Sequence, residues 1–191
     1  MSALLLLFAL ISHVVDPLFP PNAVMGGTVV AQVHFAGGKA KSVKVLSGED
    51  PFADSARAAL LKWQGDSGED SDEVVIVHFR HPYLYHVADS SEEIAPAQPK
   101  GSLPYPKTVI SPAYAPNTSA QGSVVLRLEI SSEGRVVKVA ILQRLGDMTT
   151  SSIDAVRSWV FTPPEDEKGA KQPSHAYAVF VYRFPVSVRR Q

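Results

Sequence analysis

Three imidazoles, His78, His81 and His86, stand close together in this chain, and three imidazoles can hold a divalent cation. Their spacing fits no standard ligand set and Pro82 sits among them, so a plain linker is the simpler reading. The acidic run Asp66 to Glu73 would attract calcium, yet it lacks the alternating oxygen ligands and closing glutamate of a calcium loop and reads as a solvated loop. His34 alternates with apolar strand positions and belongs on an exposed face, while His13 and His175 have no companions in sequence. No Gly-x-Ser-x-Gly elbow, P-loop or dinucleotide fingerprint occurs. The turn Gly37-Gly38-Lys39 has no helix after it and so no phosphate cradle. Without cysteine there is no thiol catalysis, disulfide or thiolate metal site. The expectation is a non-enzymatic protein without metal or cofactor.

Charge narrows the partners. Eighteen basic and nineteen acidic residues in 191 leave a net charge of -1, which gives no electrostatic case for nucleic acid or an anionic membrane. Only Arg183, Arg189 and Arg190 are locally basic. The apolar run Ala3 to Ile11 falls far short of the roughly 20 residues of a spanning helix. Residues 1–15 read instead as a signal segment for export, with an apolar element docked on the core as the alternative. Membrane contact is then expected only through that segment, if it is retained.

The elements that position everything else come from an internal repeat. Gly26 to Leu46 aligns with Gln121 to Leu142. Val29, Ala31, Val33 and Phe35 alternate with Thr28, Val30, Gln32 and His34, as Val124, Leu126, Leu128 and Ile130 alternate with Ser123, Val125, Arg127 and Glu129. Period two is a strand with one buried face. Gly38 and Gly134 then stand where a hairpin turn needs positive φ, and Val43 and Val45 match Val139 and Ile141 in the returning strands.

Asp50-Pro51 predicts a helix start, and Ser151 with Asp154 a capping box. Ala56, Ala59, Leu60 and Trp63 fall at helical spacing, and so do Ser152, Ala155, Val156 and Trp159. A third strand follows each helix: Val75, Val77 and Phe79 alternate with Val74, Ile76 and His78, and Phe180, Tyr182 and Phe184 with Val179, Val181 and Arg183. Those last aromatics could stack nucleobases, but they share a face with the helix, so core is their expected role.

The predicted fold is α+β: two ββαβ units, each a small antiparallel three-stranded sheet covered by one helix whose Trp lies across it. The expected organisation is a signal segment at 1–15, a unit at 16–86, a linker at 87–103 rich in Pro, Ser and charge, and a second unit at 104–191.

These residues resemble the TonB C-terminal domain family. The features that carry the resemblance are Phe19-Pro20 and Tyr105-Pro106, a Gly before a Val-rich strand, the Glu133-Gly134-Arg135-Val136 turn, a helix ending in Trp159 with Phe161 and Pro163 after it, and the closing run from Val179 to Val186. The second copy matches from Leu103 to Val188. The first, Pro17 to Leu84, is degenerate, with Gly27, Gly38 and Trp63 but no Phe-x-Pro segment. The resemblance implies a periplasmic or cell-envelope module that contacts a protein partner, such as an outer-membrane receptor, by pairing a short segment with the edge of its last strand, in connection with transport.

A three-stranded sheet has two open edges, and an extended peptide can add to either by main-chain hydrogen bonds. The expected edge is Tyr177 to Phe184, with Tyr177, Val179, Val181 and Arg183 as partner-binding residues. Trp63, Trp159, Phe161 and Gly134 are expected as structural residues. Arg183 and Arg135 either meet acidic groups of a partner or lie on a solvated face. The alternative is a duplicated scaffolding module whose two units pair with each other, a form of self-association that uses up the edge.

Overall fold

The computed structural model describes residues 11–23, 25–80, 91–94, 103–114 and 120–183. His81, His86, Phe184, Arg189, Arg190 and most of the 87–103 linker lie outside the described residues.

Both halves run as hairpin, helix, strand. In the first, β1 (Ile11–His13) precedes the hairpin β2 (Gly27–Ala36) and β3 (Lys39–Ser47), helix α1 (Phe52–Leu60), the short β4 (Gln64–Gly65) and β5 (Ser71–Arg80). Next come β6 (Ser91–Glu93) and β7 (Tyr105–Ile110), the hairpin β8 (Gly122–Ile130) and β9 (Val136–Gln143), α2 (Met148–Arg157), β10 (Val160–Thr162) and β11 (Ser174–Tyr182). The helices start where the chain allows rather than at the expected caps. Pro51, not Asp50, is at the cap of α1, and α2 begins three residues before Ser151, which lies inside it.

The halves do not form two separate three-stranded sheets. They share one eight-stranded sheet ordered β1-β4-β3-β2-β5-β11-β8-β9. A smaller sheet, β10-β7-β6, packs beside it. At the seam β5 and β11 pair in parallel, Tyr177 opposite Val75 through Tyr182 opposite Arg80, and every other long pairing in the sheet is antiparallel.

The order reads the same outward from the seam: last strand, first hairpin strand, second hairpin strand. Two halves arranged so are related by a half turn about an axis along the strands, and that turn puts their helices on opposite faces, since side chains alternate across a strand. The cores show it. Ala56, Leu60 and Trp63 pack with Val75, Val77, Phe79, Tyr177, Val179 and Val181 on one face. Met148, Val156 and Trp159 pack with Val74, Ile76, Ala178, Phe180 and Tyr182 on the other.

Each helix covers only its own half, and the leading arm of that same half reaches over the far half of the face. Val14, Val15 and Phe19 join the α1 face, and Tyr105, Val109 and Ile94 join the α2 face. The strands expected to have one wet face are therefore buried on both: Glu73 to Phe79 and Ala176 to Tyr182 are buried throughout. Residues 11–15, read with the apolar start as a signal segment, are built into the fold, since Ile11 is buried and pairs with Gly65.

Candidate functional site

The strand expected to be an open edge is the centre of the sheet. Tyr177, Val179 and Val181 have β5 on one side and β8 on the other, so the backbone that would pair with a visitor is already paired. Arg183 is engaged inside the molecule as well: Nη1 donates to the carbonyl of Ala23 at 3.4 Å and the guanidinium lies 5.5 Å from the centre of the Phe19 ring. The expected partner-binding edge is thus corrected. Two similar halves satisfied each other's last strand, because an unpaired row of main-chain groups is costly and the nearest complementary row is the other half's.

The seam is held by a reciprocal exchange of arms. Trp63 Nε1 donates to the carbonyl of Val15 at 3.1 Å, and Trp159 Nε1 to that of Ile110 at 3.0 Å. Each acceptor stands two residues before a proline, Pro17 and Pro112. The next residue in each arm reaches across the seam. Asp16 accepts hydrogen bonds from Ser123 Oγ and, at 2.8 Å, from Gln143 Nε2, while Ser111 Oγ meets His78 Nε2 at 3.0 Å. The arginine after each last-strand tyrosine or phenylalanine repeats the exchange: Arg80 Nε donates to Pro112 O at 3.0 Å, as Arg183 does to Ala23 O. Sequence reading missed these contacts. The signal was present in the shared Val-x-Pro and Ile-x-Pro steps ahead of the two hairpins.

Two histidines acquire partners that sequence could not give them. His78 is buried, with Nδ1 2.8 Å from Thr28 Oγ1 and Nε2 on Ser111, and burial together with the charge of Arg80 pushes its pKa down from 6.5 to about 3. It links Thr28 of its own half to Ser111 of the other. Among the described residues no group of three or more His, Asp and Glu could hold a metal. His175 meets Glu73 at 2.6 Å, and Glu73, read as part of a solvated acidic loop, is 2% exposed. Beside them burial and the Glu73 carboxylate push the Tyr177 phenol well above its usual range. His34, half-buried, pairs with Asp72 at 3.1 Å.

The structural residues sit at equivalent points of the two halves. Gly134 has φ +78°, a region that favours glycine, and a Cβ there would stand 2.0 Å from the carbonyl oxygen of Phe161. Its own carbonyl accepts from Phe161 N at 2.9 Å. Gly38 has φ +71° and accepts from Gly65 N at 3.1 Å. Trp63, Trp159 and Phe161 are buried.

What remains open is the outer margin. Among the described residues, β9 has β8 on one side and no strand on the other at one end of the sheet, and toward the far end β3 is covered only at its start, by β4 at Lys39.

Residues 112–184 match the family described as Gram-negative bacterial TonB protein C-terminal. Residues 112–184 are a TonB C-terminal-like domain. The matched segment holds the hairpin β8–β9, helix α2, β10 and β11, and the seam with β5 lies on its last strand. Neither a curated protein nor a solved structure matches the chain. No helix among the described residues is long and apolar enough to cross a membrane.

Proposed function

We propose that this chain is a non-enzymatic protein-interaction module of the Gram-negative cell envelope, working in the periplasm and linked to outer-membrane transport. The match of residues 112–184 to the TonB C-terminal family carries this reading. The first half is a divergent second copy, fused so that each copy's last strand satisfies the other's. Its arm, hairpin, helix and tryptophan follow in the same order as those of the second half. A partner, such as an outer-membrane receptor, is recognised by strand addition at an outer margin of the fused sheet and not at Tyr177–Tyr182.

The pairing of β5 with β11 also favours a second reading, a scaffolding module that binds no peptide. One experiment separates them. The full chain, carrying a photo-crosslinking side chain in turn at the rim positions Lys41, Lys44 and Val137, is expressed in a Gram-negative host that is then fractionated. Adducts with an envelope protein are expected from a periplasmic chain. Periplasmic chain without adducts at any rim position would favour the scaffold, and a chain retained in the cytoplasm would overturn both readings.

A further inference from the structure

The two open margins are built from equivalent strands, and they differ where it matters. In the hairpin registers Val43 sits opposite Val33, and Val139 opposite Leu128. Counting from these, the exposed Lys41 and Lys44 of β3 correspond to Val137 and Ala140 of β9. Lysine along an edge strand deters pairing, because an added strand must desolvate or clash with the charge. The β3 margin carries that protection. The β9 margin has apolar residues at both of those positions, and Val137 is 65% exposed.

Charge then describes the occupant. Between Arg135 and Arg144, both exposed, the sequence has one charged residue, Lys138, and its ammonium is spoken for by Glu129 at 3.1 Å. Neither Arg135 nor Arg144 engages in an ion pair among the described residues. They stand about 30 Å apart along an extended chain. The register shifts near each end of β9 leave Lys138 to Ile141 as its regular stretch, a length at which a second strand gains its main-chain bonds. A second copy of this chain laid antiparallel over the whole of β9 would set Arg135 against Arg144 at both ends, and like charges opposed across strands repel.

We infer that the β9 edge, Val136 to Gln143, receives an extended protein segment of alternating apolar character with an acidic residue toward each end, its carboxylates meeting Arg135 and Arg144. The inference rests on the interaction-module reading above and names the edge and the partner's chemistry. Main-chain pairing supplies the grip, and the arginines select and orient the segment.

The test uses the purified full chain and a peptide of about ten residues that alternates threonine and valine between a terminal aspartate and a terminal glutamate. A lysine-ended version serves as its counterpart. Amide hydrogen exchange is followed along the chain. The acidic-ended peptide is expected to slow exchange in Val136 to Gln143 and to bind at least about 10-fold more tightly than the lysine-ended one, a preference that weakens as salt rises. The double charge reversal Arg135→Glu with Arg144→Glu should invert the preference. Val137→Lys, which copies the β3 margin, should weaken both peptides without shifting the unfolding midpoint. Protection on another edge would overturn this assignment and leave the interaction-module reading standing. Protection nowhere, up to millimolar peptide, would overturn the edge together with strand addition. Protection of β9 that grows with protein concentration in the absence of peptide would hand the edge to a second copy and overturn the acidic segment.

Discussion

The carboxylate of Glu73 and the imidazole Nε2 of His175 meet at 2.6 Å across the parallel seam, with side chains 3% and 10% exposed. One belongs to each half, so the contact exists only because β5 and β11 are joined. Removing one partner of a buried polar pair costs more than replacing both by apolar groups.

That asymmetry sets the first prediction. Glu73→Leu should cost about 1–3 kcal/mol, because it removes the buried oxygen that meets His175 Nε2 beside Tyr177. Replacing both, with Glu73→Leu and His175→Phe, should recover most of the loss. Urea midpoints for Glu73→Leu, for His175→Phe and for the double form the check. Additive losses would mean that the two groups do not depend on each other.

The second concerns His78. It titrates near 6.5 in the unfolded chain and at about 3 in the folded one, chiefly because it is buried and secondarily because Arg80 is near. Below pH 6.5 the unfolded chain therefore binds a proton that the folded chain refuses. Stability from this group is whole above about pH 7 and declines as pH falls toward 3, by about 1 kcal/mol per pH unit. Unfolding measured at pH 7, 6 and 5 should show that slope, and His78→Asn should flatten it. An unchanged slope in the variant would place its origin elsewhere.

Much of this architecture was legible. Alternation in Val29 to Phe35 and Val124 to Ile130 gave the hairpin strands and their faces, and Gly38 and Gly134 gave the turns, because side-chain period and positive φ are local properties. The join between halves was not, since periodicity says which way a side chain faces and nothing about which strand lies beside it. The clue lay in Val74 to Phe79 and Ala176 to Tyr182, where apolar residues occupy both alternating sets. Strands buried on both faces read as continuous apolar runs, and that pattern marks the centre of a sheet rather than its margin. The arms were hidden for another reason. Val15 and Ile110 act through backbone carbonyls, which leave no signature in side-chain type.

The third prediction concerns the tryptophans. Each indole fills its face and donates one hydrogen bond to an arm, so Trp63→Ala and Trp159→Ala should each cost about 3–5 kcal/mol. Because the faces are shared, either variant should lower the midpoint of one common transition for the whole chain. Two separated transitions, with only the mutated half shifted, would show that the seam does not couple the halves.

The last turns on a pair of glycines in equivalent turns. Gly37 has φ +58° and open space where a Cβ would go, whereas Gly134 combines φ +78° with the Phe161 carbonyl oxygen 2.0 Å from that position. Gly37→Ala should cost only the backbone term, about 1 kcal/mol. Gly134→Ala adds a collision with backbone that cannot rotate away. Phe161 N is tied to the Gly134 carbonyl, and the Phe161 side chain is packed in the α2 core, so relief would have to pull β10 from the hairpin. The loss should exceed that of Gly37→Ala by several fold and should loosen the Val160 to Thr162 amides in hydrogen exchange. Equal losses at the two positions would mean that the Phe161 backbone gives way freely and that β10 is not anchored by this turn.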